Sequence, residues 1–150
     1  MKKVAFVTYN SLGSEISIPS GWHDGPDGRR ALLLQNIKGE GSRQKDGAIG
    51  AEKRREQICD LWIELQKFLP ELDHVVIYVG ANGLEFAITL ALQLPASKVT
   101  FVGCNCGLAF KKDIIQVAGL AEAGWVLCEC GGHRTMEELY LNFMGTGKLR

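Results

Sequence analysis

Beyond Pro70 the chain alternates short apolar runs with helical patterns, and this alternation restricts its fold more than any other feature. His74–Val79, Lys98–Val102 and Trp125–Cys128 are short and mostly apolar, as strands buried on both faces must be. Between them Leu84–Leu94 and Lys111–Ala123 read as helices, and a last helical pattern runs to about Met144. Strands alternating with helices imply a parallel sheet covered on both faces. Upstream, Lys3–Thr8 reads as the first strand. Ala51–Leu69 reads as a long helix, with Ile58, Leu61, Trp62, Leu65, Phe68 and Leu69 at helical spacing and Pro70 ending it. The expected fold is a single α/β domain over residues 1–150, with a mostly parallel sheet of four to five strands.

Ser11–Gly50 interrupts this rhythm. The segment is glycine-rich, without helical periodicity, and is expected as an insertion near the strand C-termini. Inside it Glu15–Ile18 and Arg30–Gln35 are expected to pair as a hairpin around Asp24-Gly25-Pro26-Asp27-Gly28, a strong turn signal. Trp22 and His23 belong either to a lid over a cleft or to a surface loop. Between Arg29 and Arg55 eight basic residues stand against three acidic ones. That local excess suits a phosphate-bearing small ligand or a solvated loop.

Two glycine turns follow strands. Gly80-Ala-Asn-Gly83 comes after His74–Val79, and Gly131-Gly-His-Arg-Thr135 comes after Trp125–Cys128. Ligands of parallel sheets sit outside the strand C-termini, so both turns fall where one cleft could hold a ligand. A glycine pair ahead of a helix lets backbone N–H groups face a phosphate at the positive helix end; an ordinary turn uses glycine for φ > 0. Thr135 and Glu138 have capping-box spacing, with Thr135 as N-cap. The candidate ligand-binding residues are Gly80, Asn82, Gly83, Gly131, Gly132, Arg134 and Thr135.

The stretch VVIYVGANGLEFAITLALQLPASKVTFVG resembles the corresponding segment of cytokinin-activating phosphoribohydrolases, the family once called lysine-decarboxylase-like. GGHRTMEEL is similar to that family's GGxGTxxE signature, with Gly131, Gly132, Thr135 and Glu138 at matching positions. The resemblance covers roughly Val4–Gly13 and Ala51–Tyr140. It implies a Rossmann-like fold, a nucleotide ligand and hydrolysis at a ribose–base bond. Glu138 would then be the acid/base group, and Lys112 or Arg134 would hold phosphate. Arg134 stands where the family has its third glycine, and Lys111-Lys112 stands where it has an Arg-Lys pair. A second resemblance is shorter. Gly131, Gly132, His133, Arg134 and Met136 are similar to the late-strand motif of CRISPR-associated Rossmann-fold sensors of cyclic oligonucleotides, some of which cleave their ring. That comparison accounts for Arg134.

Cysteine usage opens another class of function. Cys104-Asn-Cys106 and Cys128-Glu-Cys130 each place two thiols on one strand face. If the strands are neighbours, four sulfurs converge in a metal or redox site, although zinc pairs are usually Cys-x2–4-Cys. Small buried residues at strand ends are the other reading. Cys59 is expected in the core of its helix, and His74 as a structural residue at a strand start. Five cysteines, an odd number, argue against a disulfide framework. Seventeen basic and seventeen acidic residues balance, which gives no bulk field for duplex nucleic acid. The first ten residues lack a secretory pattern, and no segment has bilayer-spanning length. The expectations are a cytoplasmic location, no membrane partner, no cofactor, no resident metal in the nucleotide reading, and assembly as a homodimer.

Overall fold

The computed structural model describes residues 1–9, 18–35, 51–79, 92–104, 122–128 and 132–149. Six strands form one sheet: β1 (Lys3–Tyr9), β2 (Gly21–Asp24), β3 (Arg30–Gln35), β4 (His74–Val79), β5 (Val99–Cys104) and β6 (Gly124–Cys128). Two α-helices lie within the described residues, α1 (Ala51–Gln66) and α2 (Gly132–Thr146). The strand order is β2-β3-β1-β4-β5-β6. All neighbours are parallel except β2, which pairs antiparallel with β3 at one edge. The chain is therefore an α/β protein with a mostly parallel sheet. None of the described helices is long and apolar enough to cross a membrane.

Alternation along β1 sorts the core into two clusters. Ala5 and Val7 join Leu32, Leu34, Val75, Ile77, Val99 and Phe101, and α1 adds Leu61 and Leu65. Val4 and Phe6 join Ala31, Leu33, Val76, Val102 and Val126, and α2 adds Met136, Leu139 and Phe143. Because successive strand residues face opposite ways, each cluster draws on one parity of β1, β3, β4 and β5. Fully burying a side chain such as Phe6, Leu33 or Phe143 stabilises the fold by about 1.5–3 kcal/mol.

Three expectations about local structure need correction. The hairpin forms around the expected turn, with Asp27 at φ 57° and Gly28 at φ 75°, but its first strand is Gly21–Asp24 and not Glu15–Ile18. Residues 11–17 lie outside the described set, and Ile18 is not in a strand. Moreover, Arg30–Gln35 is no insertion. It pairs parallel with β1 from Lys3↔Arg30 to Thr8↔Gln35, and Ala31–Leu34 is buried. Its apolar run is the mark of a strand covered on both faces, which a hairpin on the surface would not need.

Trp22 and His23 are consequently sheet residues. His23 sits in register with Ala31, and Ala31 with Val4, toward the strand N-termini and away from the glycine turns. His23 Nε2 lies 2.6 Å from the Pro19 carbonyl oxygen. Trp22 packs edge-on against Phe68 and under the Arg30 guanidinium, 4.4 Å from the ring centroid.

The helices differ in detail too. α1 ends at Gln66, short of the expected Leu69, and Leu69-Pro70-Glu71 forms a separate short 3-10 turn with the proline in its first positions. Cys59 is exposed rather than in the core. It lies two positions from the buried Leu61, about 200° round the helix. Ile63, two positions past Leu61, is exposed for the same reason.

Candidate functional site

Both glycine turns follow strands whose C-termini lie at the same sheet edge. Counted over the parallel strands alone, the order is 2-1-3-4-5, so the direction of winding reverses between β1 and β4. In open α/β sheets the crevice outside the carboxyl ends at such a reversal is where ligands bind.

On the α2 side the sheet changes character as it approaches this edge. One row across β3, β1 and β4 is Leu33, Phe6 and Val76, all buried and apolar. The next row toward the C-termini is Gln35, Thr8 and Tyr78. On the opposite side the row just before Thr8 is apolar, with Leu34, Val7, Ile77 and Phe101.

Thr8 is the unusual member of that row. It is 1% exposed, and among the described residues its Oγ1 is one of two buried side-chain polar atoms without a hydrogen-bond partner. A buried hydroxyl left unpaired is costly and uncommon. Gln35 donates from Nε2 to the Ile18 carbonyl at 3.4 Å, and Tyr78 also has a partner. Sequence reasoning missed all three residues. The available signal was the switch from Val-Ala-Phe-Val to Thr-Tyr at the end of β1.

The second glycine turn leads directly into α2. The helix begins at Gly132, so Thr135 lies about a turn inside it and is not the N-cap. Thr-x-x-Glu has the same spacing within a helix as at its start, which is why the pattern misled. His133 and Arg134 stand in the first turn, which carries no acidic residue. Cations at this end oppose the helix dipole; an anion bound there would reverse that penalty.

Thr135 is half-buried and Glu138 exposed. With Asn142 they follow one face of α2, lining a shallow groove of about 200 Å³ whose other walls are Val126, Leu139 and Leu149. This groove runs between α2 and the edge strand β6, whereas Thr8 lies three strands away in the centre of the sheet. The two features are separate.

Gly80, Asn82, Gly83, Lys112 and Gly131 lie outside the described residues, as does most of the two expected helices, Leu84–Leu94 and Lys111–Ala123; the described ends of both, residues 92–94 and 122–123, are turn and not helix. β5 and β6 are neighbours, and Cys104 and Cys128 are register partners. Among the described residues no three His, Cys, Asp or Glu side chains are grouped to hold a metal. His74, at the opposite end of β4, lies 2.7 Å through Nε2 from Thr100 Oγ1; burial lowers its pKa. Comparison with protein-family models, with curated proteins and with solved structures finds no match.

Proposed function

We propose that this chain binds a nucleotide or nucleotide-derived ligand at the C-terminal edge of a single Rossmann-like domain with helices on both sheet faces. The observation that carries the reading is the polar row Gln35–Thr8–Tyr78 at the reversal between β1 and β4, with the Thr8 hydroxyl buried and unpartnered among the described residues. A ligand hydroxyl, phosphate or base edge would supply the missing partner. The first turn of α2 supports an anionic group, because its sequence carries His133 and Arg134 and no acidic residue. The glycines that the sequence places after β4 and before α2, at 80, 83, 131 and 132, suit close approach of phosphate.

Hydrolysis is the further step that the phosphoribohydrolase resemblance implies, with Glu138 as acid/base and Lys112 or Arg134 stabilising charge. In the sensor reading the same edge takes a cyclic oligonucleotide.

A thermal-shift screen with nucleoside monophosphates, dinucleotides and cyclic oligonucleotides tests binding and separates these ligands. A ligand at 100 times its Kd stabilises by about 2.7 kcal/mol, a readily measured rise in Tm. Arg134→Ala should weaken that ligand at least tenfold if a charge-assisted phosphate contact is lost. No rise with any of the three classes at saturating concentration rejects the reading.

A further inference from the structure

We propose that Met144 is a modification site, whose oxidation to the sulfoxide by hydrogen peroxide releases the last turn of α2 from the turn between β2 and β3. The three methionines of the chain stand in three environments. Met1 is 54% exposed, Met136 is 1% exposed in the core, and Met144 is half-buried. Of the three, Met144 alone combines access for a solvent oxidant with a packing role, because its side chain lies against the cluster that holds Phe6 and Phe143. Its thioether also rests on the hairpin turn. A methyl group built on Gly25 would come within 2.9 Å of Met144 Cε and 3.2 Å of Sδ. Glycine allows this approach, which leaves no room for an added oxygen on that side of the sulfur.

The same residue is held through its backbone. Arg29 Nη2 donates to the Met144 carbonyl at 3.0 Å, and the Gly25 N–H donates to the Arg29 carbonyl at 2.7 Å. Side chain and backbone of Met144 therefore meet one short turn. In the reaction the sulfur lone pair attacks one peroxide oxygen and the O–O bond breaks. That oxygen stays on sulfur, and the other leaves as water with both protons. Sulfur gives up two electrons and the peroxide takes them. A polar, chiral sulfoxide replaces a flexible apolar thioether. It is incompatible with both the apolar contact and the approach to Gly25, so the last turn of α2 leaves the hairpin. Arg29 then loses the Met144 carbonyl. Its side chain is 11% exposed and its Nε has no partner among the described residues, so a buried charge is left shorter of acceptors. Methionine sulfoxide reductase reverses the change.

The test uses the full chain, treated with hydrogen peroxide and then with a thiol, which returns sulfenic acids and disulfides to cysteine but leaves methionine sulfoxide in place. Peptide mass spectrometry should find Met1 oxidised fastest, Met144 next and Met136 slowest. Oxidation at Met144 should raise the unfolding equilibrium constant by about tenfold, read from the urea midpoint. Hydrogen exchange should quicken at the Gly25 and Gly147 N–H groups, which donate to the Arg29 and Phe143 carbonyls. Reductase should restore both readouts. Met144→Leu keeps the apolar volume, and its stability should not respond to peroxide. Met1→Leu should lose stability with peroxide as the unmodified chain does, which keeps the test decisive if Met144→Leu folds poorly. Met144 oxidised no faster than Met136, an unchanged midpoint once Met144 is oxidised, or an undiminished peroxide effect in Met144→Leu overturns the proposal. The outcome is independent of the nucleotide screen.

Discussion

Arg29 Nη2 donates to the Met144 carbonyl at 3.0 Å, tying the turn before β3 to the last turn of α2. The two residues are 115 positions apart in sequence. The helix ends at Gly147, whose φ of 77° and N–H bond to the Phe143 carbonyl at 2.8 Å form an αL cap. A guanidinium beside the terminal carbonyls complements the negative helix end. Only 11% of the Arg29 side chain is exposed, and Asp27 Oδ2 lies 3.6 Å from Nη1. Its Nε has no partner among the described residues, a cost that partly offsets the gain. Arg29→Ala is expected to destabilise the fold by about 1–3 kcal/mol, measured as a lower urea midpoint. Arg29→Met keeps most of the stem and should recover part of that loss. Equal stability in all three proteins would mean that the contact contributes nothing.

The sheet's N-terminal edge makes stability depend on pH in two separate windows. Burial lowers the pKa of His74 below its ordinary 6.5, so the folded chain resists protonating it. The unfolded chain then binds more protons, and stability rises with pH across this range. The contribution is complete above about pH 6.5 and is lost as pH falls toward the lower folded value. His74→Gln should flatten that part of the curve. Asp73 Oδ2 accepts the backbone N–H of Lys2 at 2.8 Å and of Lys3 at 3.0 Å. Those bonds, Lys3 first, hold its carboxyl below its ordinary 3.8. Its contribution is present above that value and lost as pH falls further. Because Asp73 is exposed, Asp73→Asn should cost less than about 1 kcal/mol after solvent screening. Urea midpoints between pH 8 and pH 3 would separate the two groups, and a His74→Gln curve parallel to the unmodified one would exclude His74 as the cause.

Periodicity made the parallel strands from β4 onward readable, because each is an apolar run bounded by turn residues. β4 falls on His74–Val79 as expected, and β6 gains only Gly124. β3 falls on Arg30–Gln35 as expected, but its place inside the parallel sheet is not legible, although its composition, Ala-Leu-Leu-Leu, is that of a buried strand. A turn next to a strand signals a hairpin locally, while the partner across β3's other edge is β1, far away in sequence. The start of α2 was ambiguous because a Thr-x-x-Glu spacing does not distinguish a cap from an interior turn. At the candidate site the glycine turns are visible as motifs. Thr8 acquires meaning only when strand order places it at the reversal between β1 and β4.

Glu138 separates a structural role from a chemical one. A capping-box glutamate reaches back to the start of its helix, but α2 starts at Gly132 and Glu138 is exposed beside the groove. Glu138→Gln should therefore change stability by less than about 0.5 kcal/mol, as surface substitutions usually do. If the proposed ligand is hydrolysed with Glu138 as acid/base, the same variant should bind it normally and turn it over at a background rate. A loss of stability above about 1 kcal/mol, read from the urea midpoint, would restore the capping role. Unchanged turnover would remove Glu138 from the chemistry.

Thr8→Val offers the sharpest division between folding and ligand binding. Valine has nearly the shape of threonine, so the packing of β1 between β3 and β4 should persist. The substitution deletes a hydroxyl that is buried and unpartnered among the described residues, which relieves a desolvation cost of about 1–3 kcal/mol. Without ligand, Thr8→Val should be more stable than the unmodified chain by about 1 kcal/mol or more, seen as a higher urea midpoint. Nucleotide affinity should move the other way, falling at least tenfold if the hydroxyl meets the ligand. Thr8→Ser keeps the hydroxyl and loses a methyl, so it should retain affinity while losing stability. A less stable Thr8→Val would show that the hydroxyl already has a partner in the fold. Full affinity in that variant, alongside higher stability, would place the ligand elsewhere along the sheet's C-terminal edge.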